Sequence, residues 1–144
     1  MLTQTLTTAP SRVRRMTITL PTGLKQDLIR LAELRGRDFA TELSDDLTFV
    51  LRLTGGPRPG DMLEHLFAVS HLPDTWERVS LELPRAQADL VGAIARSYGV
   101  TRGVALSALL LTGVKTLLKV ETLALSQGLG FMDAWFVHMG RQAA

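Results

Sequence analysis

The sequence predicts a mainly α-helical protein that carries two short β-strands, built from one strand–helix–helix unit written twice and closed by a C-terminal helix. Three observations predict it. Arg14-Arg15-Met16-Thr17-Ile18-Thr19-Leu20-Pro21 and Arg78-Val79-Ser80-Leu81-Glu82-Leu83-Pro84 each alternate apolar and polar residues up to a proline, the period-2 pattern of a strand with one buried face. Pro84 follows Pro21, and Gly99 follows Gly36, at the same offset of 63 residues, which marks a duplication with no net insertion between the anchors. After each strand, apolar residues recur at helical spacing.

Taken in order, residues 1–13 are Thr-rich and read as a flexible N-terminal arm. The first unit spans residues 14–53. Pro21 stops its strand, and Thr22 stands at an expected helix N-cap. Leu24, Leu28, Leu31 and Ala32 fall on one helical face, with Lys25, Asp27, Arg30 and Glu33 on the other, up to Gly36 at a natural left-handed terminus. Asp38 then caps a second helix with an apolar stripe of Phe39, Leu43, Leu47, Val50 and Leu51. Glu42, Asp45 and Asp46 sit in its early turns, where the helix dipole favours them, and Asp45-Asp46 reads as a solvated face.

Residues 54–76 read as a linker. Thr54 to Gly60 is a loop by composition, and a short helix is expected over Asp61–Ser70 with Leu63, Leu66 and Phe67 inward, ended by Leu72-Pro73-Asp74. Met62, Phe67 and Trp76 predict that this linker packs on the fold. The second unit, residues 77–118, repeats the order of the first. Leu90, Val91, Ile94 and Ala95 form the inner face of its first helix, which ends at Tyr98-Gly99, and Thr101 caps the next at the place Asp38 holds earlier. In that next helix Val104, Leu106, Leu109, Leu110, Leu111, Val114, Leu117 and Leu118 cover nearly every side, so it must be buried all round. The expected cover is residues 119–144, a C-terminal helical segment with a stripe of Leu129, Phe131, Met132, Trp135, Phe136 and Met139; the alternative is a self-association surface.

Composition bounds the function. At 46% hydrophobic and 21% charged, the 144 residues fit a folded chain with a real core, not a disordered one. Without cysteine, disulfides and thiolate metal sites are excluded. Met1 to Pro10 lacks the pattern of a signal peptide, and the charge-free run Gly103–Val114 is shorter than the roughly 20 residues of a membrane span, so a cytoplasmic protein is expected. The net charge of +2 is unevenly placed. Residues 1–58 hold nine Lys/Arg against six Asp/Glu, and thirteen of the sixteen basic residues are Arg, the side chain suited to phosphate and guanine. That hints at an anionic partner.

A strand, a proline, then two helices joined at a glycine and an N-cap residue resembles the ribbon-helix-helix family of DNA-binding proteins of the MetJ and Arc type. The resemblance covers residues 14–53 and 77–118, and tandem copies are similar to the accessory proteins of conjugative plasmid relaxosomes. It implies a short two-stranded antiparallel β-ribbon, with both copies fused as a single-chain pseudo-dimer, monomeric alone and able to form higher oligomers on DNA. It also implies double-stranded DNA as the partner, read in the major groove, in plasmid transfer or maintenance or in transcriptional repression. Carried over residue by residue, the base-contacting positions are Arg15, Thr17 and Thr19 on the first strand and Arg78, Ser80 and Glu82 on the second. Phosphate contacts fall to Arg14 and to the two helix starts, Asp38–Phe39 and Thr101–Arg102. Two positions depart from the pattern: Glu82 sets a carboxylate on the DNA face, and Asp38 replaces the hydroxyl usual at the phosphate clamp.

No catalytic constellation is legible, neither a phosphate loop, a nucleophile elbow nor a carboxylate pair, so the chain is not read as an enzyme and no cofactor is expected. His65, His71 and His138 lack metal-site spacing and read as ordinary surface or loop residues, and Trp76 and Trp135 read as core or lid residues. Glu82, Asp38 and the apolar C-terminal third motivate the alternative function, an interaction module that keeps the fold without DNA and docks a partner such as a relaxase or a toxin through residues 119–144.

Overall fold

The computed structural model describes residues 12–54 and 59–143. The elements are β1 (Val13–Pro21), α1 (Thr22–Arg35), α2 (Phe39–Thr54), α3 (Pro59–Ser70), β2 (Trp76–Pro84), α4 (Arg85–Tyr98), α5 (Arg102–Gln127) and α6 (Phe131–Ala143). The fold is mainly helical with one two-stranded antiparallel sheet. Residues 1–11 of the expected N-terminal arm and 55–58 of the Gly-Pro loop lie outside the described residues, whereas Val13, expected in the arm, opens β1 opposite Pro84.

The alternation read in the two strands becomes the two faces of the sheet. Met16, Ile18 and Leu20 from β1, with Leu81 and Leu83 from β2, point into the core, and their intervening neighbours are exposed. The register runs antiparallel from Val13 opposite Pro84 to Pro21 opposite Trp76. The second helix of each unit packs on the strand of the other: α2 lies against β2, and α5 against β1. Gly103 makes the second of these contacts possible. A Cβ there would stand 2.0 Å from the Thr19 carbonyl oxygen, so only glycine lets α5 start directly on the ribbon backbone.

Helix α5 is the core of the molecule. It packs on α1, α2, α3, α4, α6 and β1, and Ala105, Leu106, Leu110, Val114, Leu117 and Val120 are fully or almost fully buried. It runs on past residue 118 to Gln127, so the first part of what reads as a separate C-terminal segment continues the same helix. Its 26 residues are long and apolar enough to cross a membrane by length and composition, and 56% of its most apolar window is buried against the other elements, which accounts for that character.

Several expectations are corrected. Thr22 is not the cap of α1: Pro21 holds that position, and the helix start is closed from the linker, where Asp74 Oδ2 accepts from Gly23 N at 2.9 Å and Thr75 O accepts from Thr22 N at 2.9 Å. Gly36 and Gly99 do end α1 and α4 in left-handed conformation, at φ 66° and 65°. In α3 the inward residues are Met62, Leu66 and Val69, whereas Leu63 and Phe67 are exposed. Phe67 stacks instead on His71, 4.1 Å between ring centroids. In α6 only part of the expected stripe covers the core. Ala134 is fully buried beside Val120 and Ala124, and Phe131 and Trp135 pack over them, but Met132, Phe136 and Met139 face outward. Small Ala134 lets the helix approach α5 closely, and this rotates the larger side chains away.

The largest correction concerns α2. Of the pair read as a solvated face, only Asp45 is exposed; Asp46 is buried, and so is Glu42 one turn before it. Arg35 at the end of α1 donates to Glu42, to Asp46 and, from α5, to Glu121 (2.8 Å). Arg37 donates through two nitrogens to Glu42, at 2.9 and 3.1 Å, and also to Asp45. One guanidinium thus ties three helices together. Burial, with a hydrogen bond to Glu42 and that residue's charge beside it, pushes the Asp46 carboxyl up to about 9. Burial also works against ionised Glu42, but hydrogen bonds from Asp46 and Arg37 and the charge of Arg35 outweigh it and hold Glu42 below its usual value. Asp46 Oδ2 receives no donor, and a proton held there and given to Glu42 satisfies both side chains. The corresponding positions 63 residues on are Tyr98, Val100, Ala105 and Leu109, so apolar packing fills in the second unit the place this cluster fills in the first.

Candidate nucleic-acid interface

The outward face of the sheet carries all six side chains expected to meet bases, and all six are exposed. They stand as three cross-strand pairs, Arg15 opposite Glu82, Thr17 opposite Ser80, and Thr19 opposite Arg78. The Thr17 and Ser80 hydroxyls are hydrogen-bonded at 3.0 Å in the middle. Proline at the end of each strand and the buried alternate residues lock this register, since a slip of one would turn Met16, Ile18 and Leu20 into solvent. Arg15 forms no ion pair with Glu82 across the ladder, and neither Arg15 nor Arg78 is engaged by a carboxylate among the described residues. The row from Arg15 to Thr19 is about 13 Å long at strand rise, and a two-stranded ribbon, its strands about 5 Å apart, is narrow enough for a groove of about 12 Å.

The two helix starts beside the ribbon differ. At α2, Asp38 Oδ1 accepts from Thr41 N at 2.7 Å, and this backbone hydrogen bond holds the Asp38 carboxyl below its usual range. The carboxylate thereby engages a free backbone N–H of the helix start, and the Phe39 side chain turns inward to pack half-buried on the core. At α5, Thr101 Oγ1 accepts from Val104 N at 3.2 Å, and both Thr101 and Arg102 are exposed. Thr101, Arg102 and Gly103 line, with Thr17, Thr19 and Trp76, a cleft of about 360 Å³ that runs from the ribbon onto the helix start. The structure thus joins Thr101 and Arg102 to the ribbon residues, while Asp38 and Phe39 present an anion and an inward ring. Arg14, expected on phosphate, donates to Asp89 at 3.1 Å in an exposed pair; such pairs are worth about 0–1 kcal/mol and exchange readily for another anion.

Trp76 is the residue that sequence reading left out of this site. It begins β2 opposite Pro21 and closes the end of the cleft, and its position directly before the charged end of the second strand was the available signal. Chemically the face offers two guanidiniums, three hydroxyls that donate or accept, and one carboxylate acceptor, a set able to address donor and acceptor edges alike. Protein-family models, curated proteins and solved structures were each compared with the chain, and none matches.

Proposed function

We propose that the chain is a sequence-specific double-stranded DNA-binding protein of ribbon-helix-helix type, a single-chain pseudo-dimer whose ribbon reads the major groove. The observation that carries this reading is the register. Thr17 lies opposite Ser80, its own counterpart 63 residues on, so a two-fold axis relating the copies would pass through the middle of the ribbon. Exchange of the second helices, α2 on β2 and α5 on β1, supports the same axis. The exposed row then offers Arg15 and Arg78 as guanine readers, each worth about 1–3 kcal/mol of discrimination, with the hydroxyls adapting to neighbouring edges. The start of α5, capped by the neutral Thr101 hydroxyl, favours phosphate on that side, and the start of α2, capped by the Asp38 carboxylate, does not, which fits an asymmetric target better than a palindrome. A role in plasmid transfer or in repression is equally compatible with this face.

The test is selection from a random duplex library, followed by titration of the winner and of an unrelated duplex against salt. Tighter binding to the winner, falling steeply with salt, is expected for a reader that also contacts phosphates. No enrichment and no binding at low salt would remove the proposal. A second reading, an interaction module without DNA, is favoured by Glu82 on the ribbon and by the outward Met132, Phe136 and Met139 of α6. Under that reading enrichment fails and truncation of α6 abolishes binding of a protein partner.

A further inference from the structure

Away from the ribbon, α1, α5 and α6 enclose an open trough of about 700 Å³. Its floor is one face of α5, where Lys115, Lys119, Thr122 and Ser126 recur at helical spacing, and its walls carry Arg30 from α1 and Arg141 from α6. At helical rise, Lys115 stands about 20 Å along α5 from Arg102, so the trough and the ribbon cleft are separate places. Four cations converge on this cavity from three helices, and none forms an ion pair with a carboxylate among the described residues. Among the described residues Asp27 is the one carboxylate that lines it, close enough for the charges of Lys115 and Arg30 to act on it, and His138 lines it as well, so four cations stand against a single acid.

We propose that this trough is a binding site for a compact polyvalent phosphate, the ligand chemistry shared by inorganic polyphosphate and nucleoside triphosphates. Like charges gathered in a concavity with low-dielectric walls repel one another and concentrate anions, and a ligand carrying several charges in a small volume relieves that repulsion best. The volume lies within the range of small-molecule sites, and Leu118 and Leu123 give it apolar patches beside the cations. An extended acidic peptide fits less well, because the positive groups surround a cavity instead of lining a long strip. The site does not depend on whether the ribbon reads DNA.

The experiment is calorimetric titration of the full chain with sodium tripolyphosphate, ATP and hexaglutamate at about 50 mM salt, where surface electrostatics are weakly screened. Saturable binding of tripolyphosphate or ATP is expected, and which of the two binds tighter names the source. Two pairs of substitutions, Lys115→Gln with Lys119→Gln, and Arg30→Gln with Arg141→Gln, should each weaken it at least about tenfold, as loss of charge-assisted hydrogen bonds requires. Arg15→Gln with Arg78→Gln should leave it unchanged. Thermal melts verify folding, and if one trough pair fails to fold the other carries the comparison. Absence of binding, equal weakening by the ribbon pair, indifference to both trough pairs, or tighter binding of hexaglutamate than of either phosphate would each overturn the proposal, the last in favour of an acidic protein partner.

Discussion

Asp46→Asn isolates the proton buried between α1 and α2. In the native protein Asp46 holds its proton up to about pH 9, whereas in the unfolded chain it loses it near 3.8. The folded state therefore binds the extra proton across this window, and the resulting contribution to stability is fully present below pH 3.8 and declines as pH rises towards 9. One proton corresponds to at most about 1.4 kcal/mol per pH unit, so wild type should lose up to about 2.7 kcal/mol relative to a non-titrating variant between roughly pH 5.5 and 7.5. Asparagine is nearly isosteric; its amide can donate to Glu42 while its oxygen accepts from Arg35, which now reaches Asp46 Oδ1 at 3.4 Å. Glu42 works in the opposite sense, its contribution being present above 4.5 and lost as pH falls through its lowered native value, so from pH 5.5 upward it is ionised in both folded and unfolded states and adds no slope to the difference. The assay is urea denaturation of both proteins at four pH values from about 5.5 to 8.5. The stability of Asp46→Asn minus that of wild type should grow steadily with pH. A difference that stays flat would refute the shared proton, and with it the account of how two carboxylates are buried together.

Arg15→Ala should weaken the selected duplex about tenfold and relax preference at one base step, read by anisotropy against a panel of single-base variants; an unaltered profile takes Arg15 out of the reading set. Gly103→Ala forces α5 off the Thr19 carbonyl and should cost about 1–3 kcal/mol in denaturant melts, against little change for a like substitution at Gly140, which has no neighbour within contact. Leu106→Ala empties a fully buried position in α5 and should cost about 2–5 kcal/mol, with an unchanged melt pointing to a different core. Phe136→Ser replaces a side chain that is 67% exposed, so stability should move by no more than about 0.5 kcal/mol. A loss several times larger would mean that the outer face of α6 is covered in solution, and sedimentation would then detect the assembly.

The sheet was legible because alternation is a local signal: Met16, Ile18 and Leu20 declare one face whatever they pack against. The six exposed ribbon positions follow from the same alternation. Helix phase was harder. In α3 two apolar sets, Met62/Leu66/Val69 and Leu63/Phe67, lie on adjacent faces, and only docking on α5 selects the first. In α6 attention went to the large side chains, yet the contact is made by Ala134 against Ala124, because small residues permit the closest approach. Burial of Glu42 and Asp46 was hidden because their nearness to Arg35 and Arg37 in sequence does not reveal that α5 closes over the cluster. Arg35 belongs to the preceding helix, and Glu121 stands 86 residues further along the chain from Arg35. At the candidate site, Asp38 was legible as a cap and Phe39 as the first residue of the apolar stripe that packs on the core.

The three pairs across the ribbon are not interchangeable end for end. One end carries Arg15 with Glu82, the other Thr19 with Arg78, so the row has a head and a tail on either side of the Thr17–Ser80 pair at its middle. An identical-subunit ribbon cannot have this property, because symmetry makes its ends the same. A polar row gives whatever it sits on a sense of direction: a bound copy faces one way along its track, and α6 and the basic trough always travel on the same flank of it. Successive copies laid beside one another would then all point alike, adding as an open file instead of closing into pairs. Under the proposed reading, two unlike copies in one chain thus turn a symmetric head into an arrow.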